Sequence, residues 1–191
     1  MQEDFSTSYE VKKSKFISII TPYKNFHEKY QNLKNKHPKS SHIIYAYRYL
    51  NEYNQIVENS SDDGEPKGCA GKPTLNVMQG NKIINSCIFT VRYFGGTRLG
   101  TGGMVRAYSS SAKEVMKCST KSEYIEKSTI TKEISYKEYE ILKYKLAQNN
   151  IEISSSKFLT DKIILVIKGT KEDLEKIGIK SLVTKCYKET L

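Results

Sequence analysis

A chain of 191 residues, 38% hydrophobic and 27% charged, has the composition of a globular protein with room for one large domain or two small ones. Its longest apolar runs are strand-sized, which excludes a membrane-spanning helix, and the acidic start Met1-Gln2-Glu3-Asp4 lacks the basic-then-apolar order of a secretory signal, so a cytoplasmic protein is expected. The net charge of +10 invites a phosphate-bearing partner, whereas Cys69, Cys87, Cys118 and Cys186 and the three histidines complete no metal-ligand spacing, so reduced thiols, no metal and no cofactor are expected.

In chain order, Tyr9 to Ile20 alternates and then turns apolar, which predicts an extended strand or hairpin. A helix follows, with Asn25 and Glu28 as a cap-like start, Phe26, Tyr30 and Leu33 on one face, and Pro38 as its stop. His42 to Leu50 reads as a central strand with Ile44, Ala46 and Arg48 on one face and Ile43, Tyr45, Tyr47 and Tyr49 on the other. A turn at Asn51 to Asn54 brings Gln55 to Glu58 back as a hairpin. Ser61 to Pro73 holds three glycines and two prolines and predicts a shaped loop, with a short helix over Thr74 to Gln79 behind it. Ile83 to Phe94 is strongly β-prone. A second loop over Gly95 to Gly103 feeds a helix whose stripe of Met104, Tyr108, Ala112 and Val115 reads as core.

From about Thr129 glycine becomes rare. The order is then strand, helix, strand, strand, helix, strand, with capping signals at Ser135/Glu138 and Thr170/Asp173 and a last strand expected over Leu182 to Tyr187. The fold expected is α+β in two domains, 1–126 and 127–191, the second in the ferredoxin-like βαββαβ order.

Glycine and positive charge are concentrated together. Nine of the eleven glycines fall between Gly64 and Gly103, and between Glu65 and Glu114 there are seven basic residues and no acidic one. Only four of the basic residues are arginine, and Arg92, Arg98 and Arg106 lie within fifteen positions of one another. Planar guanidinium forks suit phosphate or carboxylate, and a helix beginning near Gly102 offers unpaired amides to an anion. The binding residues expected are therefore Lys67, Lys72, Arg92, Gly95, Gly96, Arg98, Gly100, Gly102, Gly103 and Arg106. Asp62, Asp63 and Glu65 form a secondary acidic site that reads either as a cluster for Mg²⁺ or for a general base, or as a solvated turn in which Asp forms an Asx-turn and nearby arginines offer pairing. No catalytic residue is assigned. Two phosphate-binding fingerprints fail: Pro73 follows Gly71-Lys72 with Pro66 at the first glycine of a P-loop, and Val105 stands where a dinucleotide fingerprint needs its third glycine.

His42-Ile43-Ile44-Tyr45-Ala46-Tyr47-Arg48, Ser61-Asp62-Asp63-Gly64-Glu65-Pro66 through Ala70-Gly71-Lys72-Pro73, and Val91-Arg92-Tyr93-Phe94-Gly95-Gly96 through Leu99-Gly100-Thr101-Gly102-Gly103 to Val105-Arg106-Ala107-Tyr108 resemble the IMPACT/YigZ family. Lys13-Ser14-Lys15-Phe16-Ile17 is similar to its opening. The resemblance implies an N-terminal domain like the second domain of ribosomal protein S5 and a C-terminal domain like the last domain of translocating elongation factors. Eukaryotic members regulate translation by competing for the activator of a starvation-responsive kinase through an additional domain not expected here, so that connection is not carried over. The functions expected are, first, a translation-linked regulator binding RNA, the ribosome or a translation-associated protein; second, an enzyme acting on a phosphorylated small molecule; third, a protein-interaction module without nucleic acid.

Overall fold

The computed structural model describes residues 4–125, 127–149, 151–178 and 186–190. Two compact units emerge, one of residues 1–123 with 187–191 and one of residues 124–186.

The first unit is built on strands β1 (Phe5–Val11), β2 (Ser14–Pro22), β3 (His42–Leu50), β4 (Ile56–Ser61) and β6 (Ser86–Tyr93), antiparallel in the order β1-β2-β6-β3-β4. The predicted opening strand is thus a hairpin, closed by Lys12 and Lys13 at φ 46 and 64°, the two positive values a tight turn of this twist needs. Helix α1 (Phe26–Lys36) covers one face of the sheet, where Phe26 and Leu33 bury themselves against Ile19, Ile43, Cys87, Phe89 and Val91. Asn25 does not cap it, because a 3-10 turn over Tyr23–Asn25 holds Asn25 at ψ 5°, away from the extended geometry a capping side chain requires.

Helices α2 (Gly71–Gly80) and α3 (Gly100–Cys118) cover the other face. Both begin earlier than their sequence suggests: Gly71 to Pro73 form the first turn of α2, and Gly100 to Gly103 that of α3. Proline is tolerated so early because its missing N–H has no helical acceptor there. The stripe Met104, Tyr108, Ala112 and Val115 is buried on this face, together with Phe16, Ile20, Ile44, Ala46 and Ile88. Strand β5 (Ile83–Ile84) belongs to a small sheet of order β5-β11-β7, formed with β7 (Lys121–Ile125) and β11 (Cys186–Thr190).

In the second unit β8 (Lys127–Ile134), β10 (Ile163–Thr170) and β9 (Glu152–Phe158) form an antiparallel sheet in that order. Helix α4 (Tyr136–Gln148) opens on the Ser135/Glu138 capping box, and α5 (Lys171–Lys176) on Thr170 with Asp173. Alternate residues Ile163, Leu165 and Ile167 of β10 are fully buried against Leu142, Leu146 and Leu174. The strand expected over Leu182 to Tyr187 lies mostly outside the described residues. The described strand is Cys186–Thr190, and it pairs in parallel with β5, Lys188 opposite Ile83, rather than joining the β8-β10-β9 sheet.

Candidate functional site

Period-two alternation along β6 sends Cys87, Phe89 and Val91 toward α1, and Ile88, Thr90 and Arg92 toward α2 and α3. Arg92 is therefore carried inside, and only 5% of its surface is exposed. A buried guanidinium needs a counter-charge. The loop after β4 supplies it: Arg92 Nη1 donates to Glu65 Oε1 at 2.5 Å, Tyr108 Oη of α3 donates to the same oxygen at 2.6 Å, and the Glu65 side chain is itself buried. The guanidinium lies over the rings of Phe16 and Phe94 and against Met104 Sδ. Burial, reinforced by the hydrogen bond to Glu65, pushes the Tyr108 hydroxyl well above the ordinary tyrosine range. His42 stands at the edge of this network, with Nε2 4.0 Å from Glu65 Oε2 and Nδ1 donating to the Asp63 carbonyl at 2.6 Å.

Glu65 is placed by its own loop. Asp62 accepts from the amides of Gly68, Ala70 and Gly71 at 2.7, 3.0 and 2.8 Å, which folds the chain back and caps the first turn of α2. Asp63 Oδ2 accepts from Ile43 N at 2.6 Å. All three carboxylates of the predicted acidic site are thus engaged within the protein. Glu65 pairs with Arg92, whereas Asp62 and Asp63 accept from backbone amides; among the described residues no group of three metal-ligating side chains occurs.

The two glycine-rich stretches meet. A hollow of about 480 Å³ is lined by Glu65 and Pro66 from the first, by Arg92, Phe94, Arg98, Leu99, Gly100, Thr101 and Met104 from the second, and by Ser41 and His42 before β3. Gly95 brings the second stretch into position: a Cβ there would lie 2.0 Å from the Lys13 carbonyl carbon, so no other residue fits this approach to the β1–β2 turn, and its amide bonds Ser14 Oγ. Gly100, at φ +71°, turns the chain into α3, whose first turn carries no acidic residue and receives no side-chain cap.

The predicted residues divide accordingly. Arg98 and Gly100 line the hollow and are exposed, Gly96 lies in the turn before it, and Gly102 and Gly103 continue the first turn of α3. Arg92 lines it too, but the expectation of a free cation is corrected: its charge is matched by Glu65. Arg106 and Lys67 are exposed and line no part of the hollow. Lys72 lines a second hollow of about 480 Å³ between α2 and α3, with Gly68, Asn76, Ser109 and Lys113. Sequence reasoning missed Ser41, Phe94 and the Tyr108 hydroxyl as parts of the site. The β6 alternation was the signal available for Arg92, since a charge in phase with Ile88 and Thr90 has to be buried.

The fold and site define a mixed α/β protein of two units with antiparallel sheets, carrying a hollow where two glycine-rich segments meet at a helix N-terminus. Residues 12–116 match the Impact N-terminal domain. An IMPACT family member of Haemophilus influenzae is 30% identical over 152 residues, 78% of this chain and 74% of that protein. The IMPACT family members YvyE of Bacillus subtilis and YigZ of Escherichia coli are 37% and 34% identical over 107 and 114 residues; these stretches cover about half of each relative, 48% and 54%. A crystal structure described only as a hypothetical protein matches with TM-score 0.70 and 26% identity over 91% of this chain and 85% of that one. The chain belongs to the IMPACT family. Among the described residues no helix is long and apolar enough to cross a membrane.

Proposed function

We propose that this chain is a translation-linked regulatory protein that binds RNA, on the ribosome or free, through the basic surface around the start of α3. In this reading the first unit is an S5-domain-2-like module and the second a ferredoxin-like module of the elongation-factor type, working in the cytoplasm. Family membership supports the reading, since the resemblance set out above links the family to translation. The observation that carries it is the convergence of both glycine-rich segments on one hollow, with Arg98 exposed at an uncapped helix start. Lys67, Lys72 and Arg106 add exposed positive charge to the same unit outside the hollow, and Arg92 is part of its wall.

The test is the affinity of the full chain for single-stranded RNA as a function of salt. Binding is expected to weaken steeply as salt rises, with a shallower slope when Arg98 and Arg106 are both changed to Ala. Binding that is absent, or indifferent to salt, refutes the reading. A second reading, an enzyme acting on a phosphorylated small molecule, is favoured by the size of the hollow, which is that of a small-ligand site. It predicts saturable heat on titration with ATP and Mg²⁺, and a flat titration removes the ATP-dependent form of it.

A further inference from the structure

Helices α2 and α3 pack side by side on one face of the first unit's sheet, and the surface they turn outward is basic. On α3, opposite the buried stripe of Met104, Tyr108, Ala112 and Val115, the residues Arg106, Ser109, Lys113 and Lys117 recur at i, i+3, i+7 and i+11 and so share one face, on which the three cations are exposed. From Arg106 to Lys117 this stripe covers about 16 Å of helix axis. On α2, Lys72 and Asn76 are exposed one turn apart. Lys72 and Asn76 face Val105, Ser109 and Lys113 across the hollow of about 480 Å³ between the helices, and Arg106 and Lys117 extend the α3 wall.

These four cations have no internal counter-charge. The ion pairs of the first unit among the described residues are Lys15–Glu10, Lys29–Asp4, His42–Glu65, Arg48–Glu58 and Arg92–Glu65, and none involves them. Helix α2 carries no acidic residue, and Glu114 of α3 falls in line with the buried Ala107 and Ser111, on the flank of the helix away from Val105. Lys113 and Lys117 stand four residues apart, a like-charge spacing that disfavours a helix. The face lacks an anion that the chain itself does not supply.

The walls indicate which anion fits. Among the described residues that line the groove none is aromatic, and the exposed apolar side chain is Val105 alone, at 37%. Single strands are held by stacking bases on aromatic rings, and a partner helix by several apolar anchors. The groove offers neither. It offers cations for phosphate beside Asn76 and Ser109, whose side chains both donate and accept. Duplex RNA is recognised by its shape and by contacts to phosphates and 2′-hydroxyls across a wide, shallow minor groove. Lysine by itself would serve DNA equally, and the amide and hydroxyl among the cations add partners for the 2′-hydroxyl.

We propose that the α2–α3 groove is a docking surface for double-stranded RNA, with Lys72, Arg106, Lys113 and Lys117 on phosphates and Asn76 and Ser109 on 2′-hydroxyls. The inference takes from the reading above that the partner is RNA, and it adds the form of that RNA and a face distinct from the hollow at the start of α3.

Fluorescence anisotropy with the full chain compares a blunt RNA duplex of about 16 base pairs, the DNA duplex of the same sequence, either RNA strand alone, and poly-glutamate. The RNA duplex is expected to bind at least about fivefold more tightly than any of the others, with a log–log salt slope of about −3 to −4 for four phosphate contacts. Lys72→Ala with Lys113→Ala should lose about tenfold and flatten the slope by about two. Lys24→Ala with Lys36→Ala removes the same charge beside α1, on the opposite face of the sheet, and should cost less than about twofold. In amide NMR spectra the duplex should shift Asn76, Ser109 and Lys113, a readout that needs no variant. Tighter binding of the single strand, or equal losses in the two double variants, overturns this inference and leaves the RNA reading intact. Equal affinity for the DNA duplex or for poly-glutamate overturns it too. Duplex binding without single-strand binding sustains it while the start of α3 fails as an RNA site. Binding of no RNA overturns both.

Discussion

Removing Arg92 tests the organisation of the whole site. Its guanidinium and the Glu65 carboxylate are both buried and 2.5 Å apart, and Tyr108 is the other hydrogen-bond donor on the same carboxylate oxygen. Arg92→Met leaves the carboxylate in the core with one neutral donor, and Glu65→Leu leaves the guanidinium with no carboxylate acceptor. Breaking a buried pair from one side costs about 3–5 kcal/mol, of the order of a third to a half of the stability of an ordinary domain. The double variant Arg92→Met with Glu65→Leu keeps the volume and removes both charges, so it is expected to be more stable than either single variant. Urea unfolding followed by circular dichroism gives all three values, and the cycle gives the coupling, expected to exceed about 2 kcal/mol. A single substitution costing under about 1 kcal/mol, or costs that simply add, would refute the pairing and return Arg92 to the cations available for a ligand.

Three further outcomes follow from the same geometry. The Tyr108 hydroxyl titrates well above the ordinary 10 in the folded state, raised by burial and then by Glu65, and Tyr23 is pushed up to about 12 by burial and by its hydrogen bond to Tyr49. Both raised values mean stability intact below pH 10 and lost above it, at about 1.4 kcal/mol per pH unit for Tyr108; urea midpoints between pH 8 and 11.5 should show the fall, and Tyr108→Phe should make it shallower. Gly95→Ala forces a methyl carbon onto the Lys13 backbone and should lower the thermal midpoint by well over 5 °C, at about 2 kcal/mol or more; an unchanged midpoint would mean the approach is not held in solution. Asp62→Ala removes the acceptor of three loop amides and should cost about 2–4 kcal/mol, with faster hydrogen exchange at Gly68, Ala70 and Gly71 than elsewhere in the unit.

What the sequence determined by itself was local. Alternation assigned Ile44, Ala46 and Arg48 to one face of β3, helical spacing assigned Met104, Tyr108, Ala112 and Val115 to the core, and the pairs Ser135/Glu138 and Thr170/Asp173 marked helix starts, because each of these signals involves groups a few residues apart. It also drew attention to Ser61–Pro73 and Arg92–Arg106 as segments of unusual composition. Whether the two met, and which charges remained free, was decided only by tertiary structure. Arg92 and Glu65 lie 27 positions apart, so their burial as a pair depends on the order of strands in the sheet and on which face of β6 the guanidinium occupies. The same long-range pairing turned a presumed ligand cation into part of the wall and left Arg98, whose surroundings are open, as the arginine at the mouth of the hollow.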